Sequence, residues 1–488
     1  MFHSPVLSLG DLLGGGYVEA VARASAAAGF DVPSDVFEPV DFYPLEKQAR
    51  NDMSIKRVGQ QIAPPFPGSP RGAATDSIER AFCAPAAPLT GFGCFRVGED
   101  GRLYFLGKSE HYHTPLGHRF EGYGLIEKAR KLGIVNPTHN NTRGYVTRLT
   151  EAKLIEAIGK KSLDRVINLE TGSLAVEAGV KMMLNRFFRL DASFAEPKYS
   201  GKIPVFLVMA DQNGGFEANY HGTTVLTQTF RGLWPEFRKS AENAGLCKTV
   251  PVKMNDMGDF KEKIGAYNKN GFKTAGFLHE IILMNYGAAR LAPEYLSAAH
   301  GLCRETDTPV LVDEIQSCMW YEGMFLFRQY GLEPDFVVVG KGFPGGEYPA
   351  SKIITTAEMD TLNQFGALVT NGQEELASLS YLVTMAFVSA NGENIKRLGG
   401  HFQERLGEIS RKNPDVILKA EGLGHLAALH FKSPEEAAGF AKKLNSRCID
   451  ASAQAYKLNC PPAVLLKPPV ISSEAELDFV ADAIEEIA

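Results

Sequence analysis

Residues 310–341, VLVDEIQSCMWYEGMFLFRQYGLEPDFVVVGK, constrain the fold more than any other stretch. The apolar run Val310-Leu311-Val312 ends on Asp313 and Glu314, and a second run, 336–339, ends on Gly340 and Lys341. Both have the length and β-branched content of buried parallel strands. In an open α/β sheet, chemistry gathers beyond the carboxyl ends of the strands. Asp313 and Lys341 are therefore expected side by side at one edge of the sheet, an acid and an amine placed to clamp a cofactor.

At 488 residues the chain has room for more than one domain. A formal charge of -6 gives no reason to expect nucleic acid or an anionic membrane as partner. No apolar run approaches the ~20 residues needed to span a bilayer. The N-terminal stretch lacks a basic start followed by an apolar block, so no signal peptide is expected. Cys83, Cys94, Cys247, Cys303, Cys318, Cys448 and Cys460 are scattered and without CxxC spacing. That pattern fits reduced thiols in a cytoplasm rather than a disulfide framework or a zinc site.

Along the chain, residues 1–90 read as an N-terminal extension, with a helix over 17–30 and a looser arm around Pro64, Pro65, Pro67 and Pro70. Residues 91–150 open with a strand pair over 91–106, turning at Glu99-Asp100-Gly101. His111, His113 and His118 follow. Alternate positions 111 and 113 could share a strand face, but no carboxylate or cysteine has helpful spacing, so a polar loop and no metal is the reading. Residues 151–375 alternate strands and helices, with strands expected over 203–209, 275–283, 309–313, 336–340 and 351–355. That argues for a mainly parallel sheet covered by helices. Residues 376–488 form a smaller α+β unit, with strands over 425–431 and 463–466 and helices over 434–445 and 473–487. The last helix opens with a capping box, Ser473 and Glu476.

Four local patterns carry chemistry. Glu170-Thr171-Gly172-Ser173 precedes a helical stretch, 174–189, so backbone N–H groups and the helix dipole could cradle a phosphate, although Thr and Ser are also ordinary N-caps. Tyr220-His221-Gly222 follows the glycine-rich Asn213-Gly214-Gly215 and could lay an aromatic over a flat ring, or hold a buried tyrosine and a bonded histidine. Lys341, close to Gly345-Gly346, is a candidate Schiff-base lysine, because burial would favour its neutral amine. Asp313 could pair with a protonated pyridine nitrogen and keep that ring electron-withdrawing.

Phosphate cradle, stacking aromatic, pyridinium acid and Schiff-base lysine occur in that order. The order and wording resemble the class III (ω-type) aminotransferases, a branch of the fold-type I pyridoxal-phosphate enzymes. The resemblance runs from about 91 to 488. It includes Gly91-Phe92-Gly93, Gly117-His118, Thr171-Gly172-Ser173, Tyr220-His221-Gly222, Asp313-Glu314-Ile315-Gln316, Gly340-Lys341-Gly342 and Thr370-Asn371-Gly372. It implies an α/β fold of type I, a large domain over 151–375 with a mainly parallel central sheet, and a smaller α+β domain. The cofactor it implies is pyridoxal 5'-phosphate. Lys341 would carry the Schiff base and shuttle a proton, Asp313 would pair with the pyridine nitrogen, and Gln316 would bond the ring's 3-oxygen. Tyr220 would stack on the ring, with His221 in the same contact segment, and Gly172 and Ser173 would bind phosphate. Thr370 would reach the neighbouring subunit's cofactor, which implies a homodimer. The partners implied are a small amine or amino acid and an oxo substrate, moved through a ping-pong amino transfer.

The chain departs from the family where the second substrate is chosen. Family members pair a glutamate with an arginine that can swing to a substrate carboxylate. The corresponding segment here runs from Glu280 through Asn285 to Gly287, with Asn285 at the second glutamate position, and Glu421-Gly422 stands where Arg-Gly is usual. A carboxylate is recognised best by a planar guanidinium, so two readings follow. Glu421 meets a cationic or polyhydroxyl substrate, or another arginine, Arg143 or Arg231, meets a carboxylate. A solvated Glu421 is the plain alternative. The stretch 318–323 also replaces the family's glycine-rich wording with bulkier groups such as Trp320. The same scaffold also serves aminomutases, epimerases or racemases and decarboxylases, and the motifs do not separate these from transfer. A non-catalytic cofactor-binding protein is a remoter alternative.

Overall fold

The computed structural model describes residues 1–79, 86–108, 114–136, 142–454 and 459–488, so His111 and His113 lie outside the described residues. The chain divides into two compact units. The first comprises Met1–Ile134, Trp320–Glu322 and Val383–Ala488, and the second comprises Val135–Met319 and Gly323–Leu382.

The second unit is built on seven strands: β1 (Leu163–Leu169), β2 (Ile203–Met209), β3 (Lys248–Val252), β4 (Phe272–His279), β5 (Val310–Asp313), β6 (Phe336–Val339) and β7 (Ser351–Thr356). Their order across the sheet is β1-β7-β6-β5-β4-β2-β3. All pairings are parallel except those of β7, which runs antiparallel to both β6 and β1. β5 and β6 are buried at every position because both faces of a parallel sheet are covered, which is why they read as unbroken Val/Leu/Phe runs. Helix α1 (Gly172–Leu184) covers one face, burying Ala175, Val176, Ala178, Met182 and Met183 in a core with Leu311, Phe336, Val338 and Ile353. Two expected boundaries move. The segment 275–283 is not one strand: β4 ends at His279, and Ile282–Leu283 turns off to pair with Ala289–Arg290. The helix expected over 174–189 starts at Gly172 and stops at Leu184, with Asn185 as its C-cap.

The first unit holds a three-stranded antiparallel sheet over Pro88–Phe92, Phe95–Gly98 and Leu103–Phe105, one strand more than the expected pair, because Gly93-Cys94 makes an extra turn. A four-stranded sheet joins Lys419–Leu423, Leu426–His430, Ala463–Leu466 and Ser452–Ala453. The capping box at Ser473 and Glu476 is present. The helix expected over 17–30 runs from Gly15 to Ala27. The N-terminus is tied down by two side-chain amides: Gln48 bonds the backbone of Phe2 in both directions, and Asn391 does the same for His3. Leu9, Leu13, Val36 and Phe42 are fully buried, so this part of the chain contributes core rather than a loose tail. Among the described residues, no helix is long and apolar enough to cross a membrane.

Candidate active site

The pairing of β5 with β6 sets the geometry. Leu311 lies opposite Phe336 and Asp313 opposite Val338, so Asp313 ends one strand beside the strand that leads through Gly340 to Lys341. Asp313 is 3 % exposed. Its Oδ1 accepts the Ile315 N–H at 3.0 Å, and its Oδ2 lies 2.9 Å from His221 Nδ1. A carboxylate only accepts, so Nδ1 donates that bond and Nε2 is the ring's other nitrogen. That Nε2 is buried with no bonding partner among the described residues.

His221 reaches Asp313 because the loop after β2 is held in two places. Asp211 accepts the N–H groups of Asn213, Gly215 and Glu217, closing the glycine-rich turn. The Asn219 amide bonds both N–H and C=O of Met209, as a neighbouring strand would. Tyr220 and His221 leave from that anchor. Gly222 then passes so close to α1 that a Cβ would lie 2.6 Å from Ser173 Oγ, at a φ of +127 that L residues rarely adopt. The Thr223 N–H donates to Ser173 Oγ at 3.0 Å. At the start of α1, Thr171 caps the Leu174 N–H, and a Cβ on Gly172 would meet Ile315 Cδ1 at 2.2 Å. Gly172 and Ser173 therefore stand at an open helix N-terminus immediately beside the Asp313 turn.

Lys341 is half-buried and takes a φ of 47, the left-handed region, which non-glycine residues occupy at a cost and most often at functional sites. Burial lowers its amine below the ordinary lysine pKa, while the charges of Glu280 and Asp313 act the other way. Glu280, the first residue past β4, is itself buried. Gln316 is buried in the turn after Asp313, and Asn285 is half-buried between the short strands Ile282–Leu283 and Ala289–Arg290. Thr370 is exposed in the segment before the helix Glu375–Ala390. The structure thus collects Lys341, Asp313, His221, Tyr220, Gly172, Ser173, Gln316, Glu280, Asn285 and Thr370 in one unit.

Glu421 belongs to the other unit. It lies on the strand Lys419–Leu423, ion-paired with Lys419 and 3.5 Å from His430 Nε2. Trp320 is also counted with that unit, 1 % exposed, with Lys467 Nζ 3.8 Å above its ring. Its environment is that of a packing residue.

Glu314 has a role beyond the motif wording. Alternation turns it away from Asp313, fully buried, where it accepts the Phe327 N–H at 2.6 Å and the Ser317 hydroxyl at 2.5 Å. Burial pushes its carboxyl up to about 7, against the hydrogen bonds that favour its charge. The Glu-x-x-Ser spacing was the available signal. His401, Glu474 and Asp478 also gather, but Arg397 and Arg405 engage the two acids, leaving a salt-bridge cluster.

The site fits pyridoxal phosphate on its own geometry. Asp313 keeps lone pairs beyond its two bonds for a ring N–H, the Gly222–Ser173 approach leaves a helix N-terminus open to a phosphate, and the Lys341 amine is biased toward its neutral form. The family model described as Aminotransferase class-III matches residues 85–488. A putrescine aminotransferase of Pectobacterium atrosepticum is 29% identical over 226 residues, 45% of this chain and 47% of that protein. An acetylornithine aminotransferase of Aquifex aeolicus is 24% identical over 415 residues, 83% of this chain and 97% of that protein. Among solved structures, the adenosylmethionine-8-amino-7-oxononanoate aminotransferase of Methanocaldococcus jannaschii superposes with a TM-score of 0.69 at 20% identity, covering 90% of this chain and 98% of that one. The match over residues 85–488 places the chain in the class-III aminotransferase family, and it is a pyridoxal-phosphate-dependent aminotransferase.

Proposed function

We propose that the chain moves an amino group from a small amine or amino acid to a keto acid or aldehyde, with Lys341 and Asp313 as its working pair. The observation that carries this is the β5–β6 pairing, which puts the acid and the lysine at neighbouring strand ends with His221 Nδ1 2.9 Å from the acid. When bound, pyridoxal phosphate supplies an electron-withdrawing ring and a carbonyl carbon. Lys341 Nζ would hold the cofactor at its carbonyl carbon, with release of water, and its freed amine would be the base that moves a proton between carbons. Asp313 would accept a hydrogen bond from the protonated ring nitrogen, and His221, donating through Nδ1, orients that carboxyl group. Tyr220 covers one ring face, Gln316 bonds the ring oxygen, and Gly172 and Ser173 hold phosphate through backbone N–H groups and a hydroxyl.

The exposed Thr370 supports a homodimer in which it reaches the neighbouring subunit's cofactor. Six cysteines among the described residues are free, in keeping with a cytoplasmic setting. Glu280, Asn285 and Glu421 are the proposed substrate residues, with Glu421 the weakest of the three because Lys419 already neutralises it. The pairing of Glu421 with Lys419 favours attention to intramolecular transfer or epimerisation, because neither partner of a carboxylate switch is in place. A panel of amines tests the main reading. Donors should discharge the visible band of the bound cofactor, and Lys341→Ala should abolish that response, lowering turnover by on the order of 10⁴. A wild-type band that no amine alters would sink the reading. Turnover that continues without any amino acceptor would select the intramolecular alternative.

A further inference from the structure

Lys352 is a second buried lysine at the edge of the sheet that carries Lys341, and the site described above gives it no task. It lies on β7, opposite Asn168 of β1 on one side and Val339 of β6 on the other, and Val339 stands two positions before Lys341. Lys352 is 3 % exposed. Its Nζ donates to Asn168 Oδ1 and lies 4.8 Å from the centre of the Tyr381 ring. Burial lowers the amine to about 8, while the charges of Glu151 and Glu375 act to keep its proton, so the ammonium form stands here at neutral pH. Lys273, also buried in this unit, is differently employed. It donates to the carbonyls of Thr306 and Asp307 at 2.7 and 3.1 Å, in the turn before β5 and away from the strand ends that carry the site.

From Lys352 the bonds lead to one segment. The lysine takes the amide oxygen of Asn168, which fixes the direction of its NH2 group. That Nδ2 donates to Glu151 Oε1 at 2.7 Å and to Gln373 Oε1 at 3.4 Å. Gly372 packs onto the same residue, since a Cβ there would lie 2.6 Å from the Asn168 carbonyl oxygen. Glu375 fastens the far side of the turn, accepting the Val146 N–H and the Thr147 hydroxyl, each at 2.7 Å. Residues 370–373 belong to no strand or helix, so side chains must fix them, whereas β1 is already held by its backbone ladder with β7. Thr370 is exposed and Gln373 is buried, so the turn presents a tip on a fixed root. Buried ion sets add little net stability over apolar packing and serve best to specify one arrangement.

We propose that Lys352 is a positioning residue: through Asn168 and Gln373, its ammonium group holds the Thr370 turn in the arrangement that reaches the cofactor phosphate of the neighbouring subunit. The inference rests on the homodimer reading above and adds to it the device that presents Thr370. Lys352 touches neither cofactor nor substrate. The buried lysine of one protomer sets how tightly the other protomer keeps its cofactor.

The test uses full-length dimers co-expressed with two affinity tags, so that mixed dimers are isolated. Each mixed dimer carries Lys341→Ala in one protomer, so the Schiff-base absorbance band reports only the other, and a mixed dimer with Lys341→Ala alone is the reference. With Lys352→Met placed in the silent protomer, the reporting protomer should need roughly 10- to 100-fold more pyridoxal phosphate to form its band, the scale of a lost hydrogen bond to a charged group. With Lys352→Met in the reporting protomer instead, affinity should stay within about threefold of the reference. Pyridoxal, which lacks the phosphate, should bind within about threefold in every dimer. Gln373→Met leaves the lysine in place and removes the acceptor of the Asn168 bond. It should reproduce the first loss in smaller measure, and it decides the matter where Lys352→Met does not fold. Affinity that follows the reporting protomer's own Lys352 would overturn the proposal and tie the lysine to its own phosphate cradle. Equal losses for pyridoxal phosphate and pyridoxal, or no loss for either, would overturn it and leave Lys352 a packing residue. A holoenzyme that light scattering finds monomeric fails the homodimer reading itself, a result distinct from a dimer indifferent to Lys352.

Discussion

Asp313 and Glu421 are both acids on β-strands, and both were candidates for the site, yet their surroundings differ. Asp313 sits in a buried turn where its partners are an N–H and an imidazole, so it keeps spare lone pairs. Glu421 lies on a strand whose own Lys419, two positions earlier and on the same face, neutralises it. What a carboxylate can do is decided by what has already claimed it. A buried acid held by two hydrogen bonds remains available to a new cationic partner, whereas a half-exposed acid in an ion pair has little left to offer and contributes little stability.

The sharpest way to break this comparison is Asp313→Asn. It preserves shape and removes the charge that would hold a proton on the cofactor ring, so turnover should fall by roughly 10²–10³-fold, with cofactor still bound. Steady-state rates and the cofactor absorbance spectrum check this, and a variant within tenfold of wild type would show that Asp313 is no more functional than Glu421.

Glu314 gives a second, smaller contrast, since it stands next to Asp313 but faces a closed set of donors. Its carboxyl is raised from 4.5 to about 7, chiefly by burial, with neighbouring Asp313 the charge that adds to the rise. The folded state therefore holds this proton more tightly than the unfolded chain. Its stabilising effect is complete below the unfolded value near 4.5 and is lost as pH climbs through about 7. Glu314→Gln removes that dependence, since an amide can serve the Phe327 N–H while Ser317 turns its hydroxyl to accept. Relative to wild type, the variant should gain up to about 3 kcal/mol between pH 4.5 and 8, read from denaturant unfolding at each pH. A difference that stays flat with pH would show that Glu314 remains charged in the fold.

The smallest effect is expected at Glu421. With Lys419 as partner, Glu421→Gln should change KM for a cationic donor and an uncharged donor alike, by less than about threefold, the scale of a surface ion pair. A selective loss on the cationic donor would give Glu421 a substrate role and erase the contrast drawn above.

Much of the large unit was legible in the residues. The strands Ile203–Met209, Val310–Asp313 and Phe336–Val339 stand where apolar runs place them, and the neighbouring ends of Asp313 and Lys341 followed from the parallel pairing. The helix beginning at Gly172 and the final capping box were equally readable, because caps and strand runs are local chemistry written within a few residues. The break after His279 was not readable, since Ile281, Ile282 and Leu283 are as apolar as the strand they leave, and only their pairing with Ala289–Arg290 diverts them.

The chemistry the chain carries is written in its residue order: an acid and a lysine closing adjacent strands, a glycine-serine helix entry, and an aromatic-His-Gly segment between them. Tertiary structure alone decided which nitrogen of His221 meets Asp313, that Arg231 returns to the Tyr220 ring, that Glu314 bridges Ser317 and Phe327, and that the first residues are bound by Gln48 and Asn391. The physical reason is one of range. Propensity, capping and alternation act between residues a few positions apart, while the direction of a side chain and the partner it finds depend on packing between segments that the order of residues does not bring together.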